Sequence, residues 1–150
     1  MVVLKPGEFF FGTDNERIRT LLGSCIAITI WHPQRSIGGM CHYLLPASPR
    51  GAEPPYDGRY ADHAMAMFRQ ALARTKTQAA DYEVKLFGGA NMFPHLPASG
   101  GDVGRRNIEA AHELLELNGF RVKDQHVGLT GHRTVILELA TGHTWIKWQG

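Results

Sequence analysis

The chain reads as an α+β fold in which mixed or antiparallel sheets are layered with helices. Three observations predict it. Isoleucine alternates with other residues over 26–31, and apolar with polar residues over 82–87, the signature of strands with two unlike faces. Apolar residues recur at helical spacing over 60–75 and 103–118. Glycine and proline interrupt the chain between these segments, and its 150 residues suit one domain over 1–150 that buries roughly two thirds of its unfolded surface.

Element by element, Leu22-Gly23-Ser24-Cys25 leads into a strand in which Ile26, Ile28 and Ile30 point one way and Ala27, Thr29 and Trp31 the other. His32-Pro33-Gln34-Arg35-Ser36 reads as a turn, so a hairpin follows. Its return strand runs over 38–45 and stops at Pro46, which has no N–H for the ladder. Residues 47–58, with three prolines and two glycines, read as an exposed loop. Ala61, Met65, Phe68 and Leu72 then form the inward stripe of a first helix. The strand over 82–87 ends in Gly88-Gly89, residues suited to backbone conformations or close approaches closed to other side chains. A proline- and glycine-rich loop is expected over 94–101. A second helix buries Ile108, Ala111, Leu114 and Leu115 and ends at Gly119, a left-handed cap. Strands are expected over 120–127, 134–139 and 143–148, the last two joined by a tight turn through Thr141-Gly142.

Composition narrows the function. Sixteen basic and fourteen acidic residues are interspersed, and the net charge of +2 does not suggest a nucleic-acid partner. No basic segment followed by an apolar run opens the chain, and no uncharged stretch approaches the roughly 20 residues that span a bilayer, so export and membrane insertion are not expected. Two cysteines without a CxxC pair suit a reducing, cytoplasmic setting. Eight dispersed histidines give no HExxH or i, i+4 ligand pair, so no metal is assigned. The glycine pairs lack the spacing of a phosphate loop. Gly104-Arg105-Arg106-Asn107 at a helix start could attract an anion, but solvated arginines and an Asn107 that crosslinks a loop is the plainer reading.

One constellation carries chemistry. Cys25 follows a Gly-Ser turn, and antiparallel pairing of the hairpin brings His42 to the same end. A thiol beside an imidazole is the minimum kit for covalent acyl transfer, because the thiolate is the nucleophile and needs a base. The backbone N–H groups of Ser24 and Cys25 are the candidate oxyanion donors. Cys41 is read as a packing thiol.

Thr20-Leu21-Leu22-Gly23-Ser24-Cys25 and Gly38-Gly39-Met40-Cys41-His42-Tyr43-Leu44-Leu45-Pro46 closely resemble the CheD family of bacterial chemotaxis enzymes, the chemoreceptor glutamine deamidases. The resemblance continues in order through Arg59-Tyr60-Ala61-Asp62-His63-Ala64-Met65, Lys85-Leu86-Phe87-Gly88-Gly89-Ala90-Asn91-Met92, Gly104-Arg105-Arg106-Asn107 and Ala140-Thr141-Gly142. It implies a cysteine hydrolase related in fold to bacterial deamidating toxins, acting on glutamine side chains of methyl-accepting chemotaxis receptors. It implies Cys25 as nucleophile, His42 as base, Thr20 as the group that orients the imidazole, and a CheC-type phosphatase as a further partner. The chain departs from the family around residues 126–133, where His126 and Gly128-Leu129 stand in place of an acidic residue and a double glycine. The reaction as written needs no cofactor. A cysteine amidohydrolase on another amide, or a chemotaxis binding module, are the competing readings.

Overall fold

The computed structural model describes residues 1–96 and 102–150, so the expected loop over 94–101 lies mostly outside the described residues. Two sheets are present. β1 (Val2–Leu4), β3 (Arg17–Leu22), β8 (His132–Glu138) and β9 (Thr144–Gln149) form one, in the order β1-β3-β8-β9. β2 (Phe9–Gly12), β4 (Ile26–His32), β5 (Ile37–Cys41), β6 (Glu83–Gly88) and β7 (Val122–Val127) form the other, in the order β2-β5-β4-β6-β7. Each sheet contains one parallel pair, β1 with β3 and β6 with β7, and is otherwise antiparallel.

Helices α1 (Ala61–Thr75) and α2 (Val103–Leu117) cover one face of the five-stranded sheet, and the four-stranded sheet covers the other. The alternation in β4 decides which residues go where. Ile26, Ile28 and Ile30 pack with Met65, Phe68, Leu72, Ala111 and Leu115 against the helices. Ala27, with Cys25 and Trp31 at its flanks, turns to the second core, where Leu4, Ile18, Leu22, Val135 and Leu137 approach from the other sheet. A strand buried on both faces reads as a continuous apolar run, and β4 has five consecutive buried residues at its start.

The expected hairpin, both helices and the later strands form within a few residues of their predicted bounds. Gly119 takes a φ of 79°, closing α2 as expected. The return strand is shorter than expected: β5 ends at Cys41, because His42 turns its backbone to the β1–β2 connection, accepting from Gly7 N–H and donating to Glu8. One bridge, Ile26 with Tyr43, carries the pairing further. Three N-terminal strands were absent from the sequence expectation. β1 and β2 are too short to display a period, whereas β3 does alternate, with Ile18, Thr20 and Leu22 inward.

Candidate active site

The site forms at the open end of the β4–β5 hairpin, where β3 of one sheet passes into β4 of the other. Cys25 occupies the three-residue turn between β3 and β4 and is partly exposed. Every carbonyl of that turn is tied down: Gly23 O accepts from Ala90 N–H at 3.0 Å, Ser24 O from Asn107 Nδ2 at 3.1 Å, and Cys25 O from Gly89 N–H at 2.8 Å. With the carbonyls held away, the N–H groups of Ser24 and Cys25 have no acceptor among the described residues. Gly88 makes this approach feasible. Its φ is 107°, and a Cβ there would fall against the Cys25 carbonyl oxygen.

Thr29 pairs with Met40 and Ile26 with Tyr43, and the same register sets Ala27 against His42. Cys25 lies two residues before Ala27, so this register makes Cys25 and His42 diagonal neighbours across the hairpin. His42 is 1% exposed and its Nδ1 lies 2.7 Å from Thr20 Oγ1. Thr20 is itself fully buried, and its hydroxyl is also 2.9 Å from Leu4 O.

This short chain of contacts fixes a tautomer. A carbonyl oxygen only accepts, so the single hydroxyl proton of Thr20 goes to Leu4. Thr20 Oγ1 must then accept from Nδ1–H of His42, which leaves Nε2 with its lone pair. Nε2 is buried and has no hydrogen-bond partner among the described residues. A buried, unpartnered basic nitrogen is costly as pure structure.

Burial also sets the charge states. It lowers the His42 imidazole from its ordinary value to about 4 and raises the Cys25 thiol. At neutral pH the resting pair is therefore thiol and neutral imidazole rather than an ion pair. Such a pair transfers its proton as the nucleophile attacks, by general-base assistance. Cys41 differs: it lies in the helix-facing core, and burial pushes its thiol up to about 12. That leaves it inert, as the packing reading expects.

The sequence profile described as "CheD chemotactic sensory transduction" matches residues 44–148. Similar curated proteins include a probable chemoreceptor glutamine deamidase CheD of Pseudomonas fluorescens, 47% identical over 99% of this chain and 84% of that protein. Another of that description, from Pseudomonas syringae pv. tomato, is 48% identical over 99% of this chain and 89% of its own length. A probable chemoreceptor glutamine deamidase CheD 3 of Dechloromonas aromatica is 43% identical over 97% of this chain and 85% of that protein. The chain belongs to the CheD family. Among solved structures, hypothetical protein YfiH of Bacillus licheniformis is similar in fold alone, with a TM-score of 0.51 and 15% identity. The match covers 81% of this chain and 49% of that one.

Among the CheD-family motifs beyond the hairpin, the one at the start of α2 braces it. Asn107 in α2 is fully buried, and its Nδ2 donates both to Ser24 O and, at 2.8 Å, to Leu44 O, clamping the residues beside Cys25 and His42 together. Arg105 and Arg106 reach out to Asp102 at 3.1 and 3.4 Å. These contacts agree with the plainer reading of this helix start, exposed arginines and a crosslinking Asn107. His63, also fully buried, accepts from Asp57 N–H through Nδ1 and donates from Nε2 to Gly51 O, so the loop over 47–58 is anchored at two points.

Sequence reasoning gave Arg133 no role. It stands opposite Leu22 in the β3–β8 ladder, fully buried, and among the described residues no carboxylate pairs with it. Its Nε donates to His126 Nδ1 at 2.7 Å and its Nη2 to Gly128 O at 2.8 Å, fixing the β7–β8 loop beside the cysteine turn. The available signal was a charged residue at an inward position of an alternating strand, Arg133 before Val135 and Leu137. Among the described residues no three His, Cys, Asp or Glu side chains converge on a metal-binding set.

Proposed function

We propose that this CheD-family protein is a protein-glutamine deamidase that converts glutamine side chains of methyl-accepting chemotaxis receptors to glutamate. Its relatives carry the name chemoreceptor glutamine deamidase over nearly the whole of this chain. The observation that carries the mechanism is the buried Leu4–Thr20–His42 hydrogen-bond chain, which leaves His42 Nε2 free as a base on the same hairpin face as Cys25.

His42 Nε2 takes the Cys25 proton as sulfur attacks the carboxamide carbon. The new oxyanion lies against the N–H groups of Ser24 and Cys25, donors worth about 10² to 10³ in rate in comparable sites. The imidazolium returns the proton to the amine, because an amide anion is a prohibitive leaving group, and ammonia departs. A glutamyl thioester on Cys25 remains. Water then gives a proton to Nε2 and attacks the thioester carbon; the sulfur leaves, recovers the proton, and glutamate is released. Thr20 acts through His42, holding the ring and its tautomer.

No helix of the described residues is long and apolar enough to cross a membrane. We assign the protein to the cytoplasm, where the signalling domains of its receptor substrates lie. A CheC-type phosphatase that presents a receptor-like helix would occupy the same mouth and compete with receptor.

The test is mass spectrometry of receptor cytoplasmic fragments after incubation with the protein and with its Cys25→Ala and His42→Ala variants. Site-specific Gln-to-Glu conversion by the wild type alone is expected. Equal conversion by the variants, with their fold intact, would overturn the assignment.

A further inference from the structure

A cavity of about 310 Å³ adjoins the cysteine turn, lined by Gly89, Asn91, Ile108, Gly128 and Leu129 together with Asp102 and Arg105. It is continuous with the site through backbone: Gly89, whose N–H holds Cys25 O, is part of its wall. Asp102 and Arg105 pair with each other at 3.1 Å, so neither is a free charged anchor; Asn91 adds an uncharged polar group, and Ile108 and Leu129 supply the apolar side chains of the cavity wall. Its size is at the small end for ligand pockets and suits one side chain of a larger substrate.

Leu129 is the residue there whose side chain the fold does not explain. Its φ is 61°, a left-handed conformation that glycine adopts freely and a bulky side chain resists. The backbone enforces it: Gly128 N–H donates to Gly88 O at 2.9 Å, Leu129 O accepts from Asn91 N–H at 2.8 Å, and Arg133 holds Gly128 O. Yet the side chain gains little packing in return, being 58% exposed. Strain retained at an exposed apolar residue in the wall of this cavity points to a use outside the folded chain itself.

We propose that Leu129, with Ile108, forms a specificity subsite that takes an apolar side chain of the receptor helix one turn away from the target glutamine. This rests on the deamidase reading. Side chains three and four positions apart on a helix are neighbours, about 5 to 6 Å between Cβ atoms, so a glutamine at Cys25 brings such a neighbour to the adjoining cavity. The subsite selects which glutamines are presented and takes no part in the chemistry.

The test is Leu129→Gly, which relieves the left-handed strain and therefore folds. In a Cys25→Ala background, affinity for receptor cytoplasmic fragments is expected to weaken about tenfold, the scale of one lost apolar contact. In the active protein KM rises by a similar factor while kcat stays within about twofold, and the thermal midpoint rises. Replacing the apolar residues one turn from the glutamine by serine should reproduce the loss and add nothing to Leu129→Gly. Unchanged affinity, no binding by either protein, or a fall in kcat alone would overturn the subsite. Absence of Gln-to-Glu conversion by the wild type, with binding still dependent on Leu129, would overturn the deamidase reading and leave the subsite standing.

Discussion

Replacing Thr20 by valine removes one oxygen and almost no volume, which isolates the tautomer argument. The hydroxyl bonds two buried groups, Leu4 O at 2.9 Å and His42 Nδ1 at 2.7 Å, and the variant leaves both unpartnered. Each orphaned buried group costs about 1 to 3 kcal/mol, so a stability loss of about 2 to 6 kcal/mol is expected. The catalytic loss is separate. Without an acceptor at Nδ1 the imidazole is free to carry its proton on Nε2, where it is no base toward Cys25. Forfeiting a hydrogen bond of about 1.4 to 2.8 kcal/mol that holds the productive tautomer lowers kcat about 10- to 100-fold. KM should stay within about twofold. Ammonia release from a receptor fragment gives both constants, and nitrogen-15 NMR of histidine-labelled protein reads the His42 tautomer directly. Thr20→Ser keeps the oxygen and should retain activity within a few fold. Full kcat in Thr20→Val, or equal losses in the serine and valine variants, would refute the reasoning.

Three further perturbations test the same architecture. His42, ordinarily near 6.5 when unfolded, is held at about 4 when folded, so the unfolded chain binds the extra proton between those values; stability is full above pH 6.5 and falls by about 3 kcal/mol as pH drops to about 4, a slope that His42→Gln should abolish in urea unfolding. Gly88→Ala places a methyl group against Cys25 O at a φ of 107°, and should cost about 3 kcal/mol or more while lowering kcat, read by thermal unfolding and ammonia release. Asn107→Ala releases Ser24 O and Leu44 O together and should cost about 2 kcal/mol, with kcat falling more than KM rises because the cysteine turn and the His42 segment lose their common clamp.

The sequence made the Cys25–His42 hairpin legible because local chemistry defines it. Isoleucines alternate through β4, Gly38-Gly39 allow close strand approach, and Pro46 closes the return. Both helices were legible for the same reason, a period carried by apolar side chains. The N-terminal strands were not, since a three-residue β1 broken by Lys5-Pro6-Gly7 and a β2 of three phenylalanines and a glycine display no period. Thr20 came through family likeness, although the inward alternation of Ile18, Thr20 and Leu22 fixes its face independently. Asn107, His63 and Arg133 act across distances of many residues, so their partners appear only once the sheets and helices are assembled. Leu129 is a backbone effect: its conformation is imposed by Gly88, Asn91 and Arg133, and its own residue type argues against it.

The central claim is that the Cys25 sulfur, with His42 Nε2 as its base, forms a covalent bond to the glutamine carbon. The direct measurement is mass spectrometry of the protein after acid quenching during turnover of a receptor peptide, followed by digestion to locate any adduct. The account predicts a thioester on Cys25, heavier than the free thiol by the peptide less ammonia, and no adduct on Cys41 or in Cys25→Ala. Undiminished glutamate formation by folded Cys25→Ala would contradict it.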